Sequence, residues 1–343
     1  MSRNSAAQVR AGVLPAPTAN SPALEEPRCD TMPGCAFRDI SSGRLEALTT
    51  FRPPVSRAVQ SALLRMKAGL SALLMGLHFV APANLSAAAQ PPKMLPLPGE
   101  SFEVAGRAAF VILPSTKPAT GTIPWVWYAP TLPGLPGTEE KWMFEQFTAA
   151  GIAIAGIDVG ESYGSPDGCA LYSTFYAELT RKRGFAPKAI LLGRSRGGLM
   201  TLSWAADNAD KVAGFAGIYP VCSLASYPGV AKAGGAYHLT TDALAARLTE
   251  FNPVDRLAAL AKARVPFFAI HGDADNVVPL EVNSGEVKKR YEALGGSMQL
   301  IVPPGQGHSM WTGFFKCQEL VDFVVTTAKR SNASPQAPAQ LQP

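Results

Sequence analysis

From about residue 100 onward, short apolar runs alternate with segments of helical spacing, and this alternation restricts the chain to very few folds. The strand-like runs are 102–105, 108–113, 125–128, 152–158, 188–192, 212–219, 266–270 and 298–302. Stretches with helical spacing at 141–150, 170–179, 198–206, 281–294 and 315–328 separate and close them. Strands this apolar are buried on both faces, and helices between them act as right-handed crossovers. The expected fold is therefore α/β, a doubly wound, mostly parallel sheet with its functional residues at the carboxyl ends of the strands. A small helical insertion, 221–264, follows the strand after the 198–206 helix, carries a helix near 241–251, and is placed to roof a site. There is no internal repeat.

The packed domain is expected over 90–330, with 331–343 a disordered tail. Residues 1–65 scatter Pro, Ser, Arg and Ala without any sustained period and read as a disordered leader. Met66-Lys67 then opens a secretory signal peptide over 66–89: a positive start, the apolar run 68–77, and a cleavage site at Ala87-Ala88-Ala89. That run is too short to span a bilayer and is followed by His78, Pro82 and Asn84, so no stable membrane insertion is expected. The simplest reading makes Met66 the true start and 1–65 untranslated upstream sequence. A genuine leader ahead of a membrane anchor is the alternative. The expected location is secreted or periplasmic. Of five cysteines only Cys169, Cys222 and Cys317 lie beyond the signal segment, and in an oxidising compartment a Cys222–Cys317 disulfide with one free thiol is expected, with three unpaired thiols as the alternative. The net charge of +5 is mild and no basic run has interleaved aromatics, so no nucleic-acid partner is implied.

Gly193-Arg194-Ser195-Arg196-Gly197 lies between the 188–192 strand and the 198–206 helix. The pentapeptide alone is weak, and its strand–turn–helix context gives it meaning. A serine on so sharp a turn is held in a strained conformation, with its hydroxyl above the sheet at a helix N-terminus, where developing negative charge is favoured. A serine hydroxyl needs an imidazole to take its proton, and the imidazole needs a carboxylate to fix its tautomer. Of four histidines, His78 is in the signal segment, His238 in the insertion and His271 on a strand end. His308, in the glycine-rich loop after the last strand, is the candidate base. The candidate acids are Asp273 and Asp275, at the end of the penultimate strand, and spacing does not choose between them.

G-x-S-x-G-G at 193–198, H-G-x-x-D-x-x-V-P at 271–279 and G-x-G-H at 305–308 together resemble the α/β-hydrolase superfamily, in its esterase and prolyl-oligopeptidase-like branch, over about 100–330. The resemblance implies a Ser195–His308–Asp275 triad, leaving Asp273 as a turn residue. It also implies an oxyanion hole formed by the backbone N–H of Arg196 and a donor from the loop after the third strand. That loop reads Tyr128-Ala-Pro130-Thr131-Leu132 in place of the familiar H-G-G; Pro130 has no N–H, so Thr131 is the expected donor, with Leu132 next. Glu161, Arg194, Tyr128 and Trp311 are candidate substrate-binding residues. The competing readings are a solvated loop carboxylate for Glu161, structural ion pairs for Arg194 and Arg196, and core packing for Tyr128, Tyr219 and Trp311. The expected activity is serine-hydrolase cleavage of a carboxylic ester, on a small molecule or an acylated carbohydrate, through an acyl-enzyme and with no metal or organic cofactor. A prolyl-oligopeptidase-like peptidase is the rival among enzymes. A non-catalytic binding module on the same fold is the rival outside them.

Overall fold

The computed structural model describes residues 93–116 and 121–332. The expected leader, the signal segment and nearly all of the expected tail lie outside the described residues. Among the described residues eight strands form one sheet: β1 (Glu100–Val104), β2 (Arg107–Ile112), β3 (Trp125–Ala129), β4 (Ala153–Ile157), β5 (Ala189–Arg194), β6 (Val212–Ile218), β7 (Phe267–Ile270) and β8 (Met298–Ile301). Their order is β1-β2-β4-β3-β5-β6-β7-β8. Only β1–β2 and β2–β4 pair antiparallel; every pair from β4 to β8 is parallel. Each of the eight expected runs is thus a strand, to within a residue or two at each end. The chain runs from β3 outward to β4 and then returns to the other side of β3 as β5. This reversal opens a crevice at the carboxyl ends of β3 and β5, where α/β sheets bind their ligands. Ala129 and Gly193 are register partners across it.

Ten α-helices fall among the described residues: α1 (Lys141–Ala149), α2 (Pro166–Lys182), α3 (Gly197–Asp207), α4 (Val230–Tyr237), α5 (Thr241–Ala246), α6 (Leu248–Phe251), α7 (Ala258–Lys262), α8 (Glu286–Ala293), α9 (Thr312–Phe315) and α10 (Gln318–Asn332). The pleat sends alternate strand residues to opposite faces. Trp125, Trp127 and Leu191 pack with Phe175 of α2, Trp204 of α3 and Tyr291 of α8 on one face. Val126, Tyr128 and Leu192 pack with Phe144 and Phe147 of α1 and with Leu320 and Val324 of α10 on the other. Two expected helices start later. A π-helical turn, Glu281–Gly285, precedes α8, and the helix expected at 315–328 starts three residues later as α10, behind the unexpected short helix α9. α2 begins four residues earlier than expected because Ser165 caps it, its Oγ accepting from the Gly168 N–H at 3.4 Å, with Pro166 in the first turn.

Between β6 and β7 the segment carrying α4–α7 builds a third apolar cluster. Leu224, Ala233, Tyr237 and Leu244 meet Tyr163 after β4, Leu199 of α3 and Val278 after β7. The segment therefore packs at the carboxyl end of the sheet. The Tyr237 hydroxyl donates to the Tyr163 carbonyl at 2.9 Å, and the Asn283 side-chain oxygen accepts from the Cys222 and Ser223 amides at 2.8 and 3.0 Å.

The expected Cys222–Cys317 disulfide is not formed, and both cysteines are free, as is Cys169. Cys222 belongs to the core on one face of the sheet and Cys317 to the core on the other, so a sheet's thickness of packed side chains separates the two sulfurs. Burial pushes the Cys317 thiol up to about 11 and that of Cys169 to about 12.

Candidate active site

β5 delivers its chain into the turn at Ser195, whose φ of 50° is positive, a conformation a β-carbon makes costly. The turn is held from both sides. The Ser195 N–H donates to the Ile218 carbonyl at 3.0 Å, and its own carbonyl accepts from Gly198 and Val221 at 2.9 and 2.8 Å. Close packing explains why glycine follows: a β-carbon at Gly197 would lie 2.1 Å from the Ala129 carbonyl oxygen. The elbow therefore sits against the end of β3 and the loop beyond it.

The Ser195 Oγ lies 2.9 Å from Nε2 of His308, and Nδ1 of His308 lies 2.7 Å from Oδ2 of Asp275. An ionised carboxylate can only accept, so Nδ1 carries the ring proton and Nε2 is left to accept from the serine hydroxyl. The other oxygen of Asp275 accepts from the Val277 and Val278 amides at 3.0 and 2.8 Å. Behind it, fully buried His271 places Nε2 3.4 Å from the carboxylate and 2.8 Å from the Val278 carbonyl, while its Nδ1 meets the Ser284 hydroxyl at 2.8 Å. Burial alone would raise the pKa of Asp275. Hydrogen bonds from His271, the Val278 amide and His308 outweigh it and hold the carboxyl down at about 2, against an ordinary 3.8.

The acid and base loops are fastened together. Asp273 accepts from the Gly305 amide at 2.6 Å, a bond to the base loop and not to its own turn, and the Ala274 amide donates to the Gln306 carbonyl at 3.0 Å. Tyr219, packed beneath the base, holds its ring centroid 4.3 Å from that of His308 and meets Phe314 edge-on at 5.0 Å. Thr131 is buried just beyond β3, with its hydroxyl on the Tyr128 carbonyl at 3.1 Å. Lys93 fastens the same loop by donating to the Leu132 and Leu135 carbonyls at 2.9 and 3.3 Å.

Two candidate substrate contacts are corrected. Tyr128 is fully buried in the core beneath the site, where its hydroxyl donates to Glu140 at 2.8 Å. Arg194 is 5% exposed and paired with the fully buried Glu140 at 2.5 Å; a second donor reaches the Met310 sulfur at 2.9 Å. Burial works against its charge, but Tyr128 and Glu140 more than offset this and its pKa rises. The other two candidates are accessible. Trp311 is 41% exposed, its ring edge-on to Phe314, and Glu161 pairs with the guanidinium of Arg196 at the rim. Sequence reasoning missed Glu140, whose position before α1 carries no distinctive pattern, and the supporting role of His271, which stands inside the H-G-x-x-D motif. Among the described residues no cluster of His, Cys, Asp and Glu is arranged to hold a metal, and no helix is long and apolar enough to cross a membrane.

Residues 177–329 match the prolyl oligopeptidase family. No curated protein is matched by sequence. Among solved structures, a puromycin-hydrolyzing peptidase of Mycobacterium tuberculosis superposes with a TM-score of 0.54 at 16% identity, over 68% of this chain and 39% of that one. Dipeptidyl peptidase 4 of Porphyromonas gingivalis gives 0.54 at 14%, over 67% and 35%. MPT51 of Mycobacterium tuberculosis gives 0.52 at 15%, over 68% of this chain and 99% of its own. The chain thus spans well under half the length of either peptidase, and likeness at these identities concerns the fold. The chain thus has the α/β-hydrolase fold, its residues 177–329 match the prolyl oligopeptidase family, and at the strand ends a serine, an imidazole and a carboxylate stand in one hydrogen-bonded line.

Proposed function

We propose that this chain hydrolyses a carboxylic ester through an acyl-enzyme on Ser195, with His308 as base and Asp275 as its orienting acid. The observation that carries the proposal is the unbroken Ser195–His308–Asp275 relay, at 2.9 and 2.7 Å. As the Ser195 oxygen attacks the acyl carbonyl, its proton passes to Nε2 of His308. Asp275 steadies the resulting imidazolium without itself taking the proton. The tetrahedral oxyanion accepts from the backbone N–H groups of Arg196 and Thr131. The close contact between the elbow and the end of β3 supports this pair of donors, each of the kind worth about 3 kcal/mol in the transition state. Collapse expels the alkoxide, which leaves with the proton from His308. A water molecule, deprotonated by the same nitrogen, then releases the acid and restores Ser195.

An ester is favoured because an alkoxide leaves more readily than an amine, so ester cleavage is the least demanding reaction of this constellation. The match to the prolyl oligopeptidase family supports a second reading, cleavage of a peptide or aminoacyl amide. An acylated carbohydrate as substrate rests on analogy with small exported hydrolases, and export itself rests on the 66–89 sequence. A fluorophosphonate probe is expected to label the wild type and not Ser195→Ala. Turnover of p-nitrophenyl acetate is expected to exceed that of aminoacyl p-nitroanilides; the reverse order overturns the ester reading in favour of the peptidase.

A further inference from the structure

Two arginines flank the nucleophile, and they do different things. Arg194 is locked in the core with Glu140, whereas Arg196 lies at the rim. Its side chain is 33% exposed and that of its partner, Glu161, 43%. Three separate segments converge on the Arg196 guanidinium. These are the turn carrying Ser195, the loop after β4 carrying Glu161, and the insertion, whose Tyr227 ring lies 5.8 Å from the guanidinium carbon. An exposed ion pair adds almost nothing to stability, since water screens the attraction and two long side chains must be ordered. The fold does not depend on this contact.

Consequently the pair is cheap to open, and it stands one residue from the nucleophile. A guanidinium has a planar fork of donors matched to a carboxylate, and an aromatic ring beside it favours its charge. A carboxylate arriving on a substrate can take the place of Glu161 with little net cost. We infer that Arg196 is a specificity-determining residue that selects esters bearing a carboxylate close to the scissile bond, with Glu161 as its resident, displaceable counter-ion. This rests on the ester-hydrolase reading above and gives it a substrate class.

The test compares kcat/KM for esters that differ only in charge. p-Nitrophenyl hydrogen adipate against the p-nitrophenyl ester of adipic acid monoamide places the carboxylate in the acyl group. The acetate of 4-hydroxybenzoate against that of 4-hydroxybenzamide places it in the leaving group. The wild type is expected to favour the anion in one of the two arms. Arg196→Gln lowers that anion-to-neutral ratio by about fivefold, mainly through KM, and Arg196→Lys restores part of it. Glu161→Gln, which removes the competing carboxylate, raises the ratio. Ratios that stay at the wild-type value in Arg196→Gln and Glu161→Gln, with neutral esters still turned over, overturn the inference and leave the ester reading standing. Failure of the wild type to turn over any of the four esters overturns the ester reading itself.

Discussion

At the scale of single residues, Asp275 bears two loads that can be measured separately. It fixes the tautomer of His308, and it is a buried carboxylate that the fold holds in its ionised form. Asp275→Asn preserves the shape but offers His308 an amide, so kcat is expected to fall by about 10⁴-fold with the far-ultraviolet spectrum unchanged. Its pKa is depressed in the folded state from an ordinary 3.8 to about 2. The stabilisation it provides is therefore fully present above about pH 4 and is lost as the pH falls through the folded value near 2. Between pH 5 and pH 2 the wild type is thus expected to lose more thermal stability than Asp275→Asn, as read by melting temperature in matched buffers. Parallel losses in the two proteins would show that some other group dominates acid unfolding.

At the scale of elements, the site depends on how closely loops approach one another. A β-carbon at Gly272 would lie 2.0 Å from the Gln306 carbonyl oxygen, on the seam that joins the acid loop after β7 to the base loop after β8. Gly272→Ala must part those loops and stretch the line from Asp275 to His308. We expect a loss of about 10²-fold in kcat, as for a displacement on the order of 1 Å, and about 1–3 kcal/mol of stability. Gly307→Ala, whose β-carbon would meet the Ala274 carbonyl at 3.3 Å, is expected to cost less on both counts. Ester kinetics and thermal unfolding of the two variants check the order. These elements also mark what the sequence could convey. The inner strands β3 to β7 were legible because a strand buried on both faces must be apolar throughout, whereas the edge strand β1 is largely exposed and showed only through Phe102 and Val104. The three motifs placed Ser195, His308 and the Asp273/Asp275 alternatives at strand ends. The short helix α9 ahead of the last helix was not legible, since its four residues are too few to show a period, although Phe314 and Phe315 join the same core as Leu320 and Val324 of α10. The disulfide expectation failed for a topological reason: residues following different strands can end up in cores on opposite faces, and spacing along the chain does not record which.

At the scale of the whole molecule, the buried pair of Arg194 and Glu140 ties together regions far apart in sequence. Glu140 stands at the start of α1 and accepts from the Tyr128 hydroxyl of β3 at 2.8 Å and from the Gly137 amide at 2.8 Å. Arg194 is the last residue of β5 before the nucleophile and reaches Met310, two residues past the base. One pair therefore braces the strand below the nucleophile against the loop that carries the imidazole. Sequence could not reveal it, since Arg194 looks as available as Arg196 until burial separates them. A buried charge stripped of its partner stays costly, so Glu140→Ala and Arg194→Met are each expected to lose about 3–5 kcal/mol. The double variant Glu140→Ala/Arg194→Met should lose distinctly less than the sum, because it leaves no orphaned charge. Chemical denaturation of the three variants measures the coupling. In the double variant, kcat measured well below its melting temperature is expected to fall, and fluorophosphonate labelling of Ser195 to slow with it, since the brace positions the base that activates the serine. Additive losses in stability would mean that Arg194 and Glu140 act separately, and the two ends of the site would then need another source of alignment.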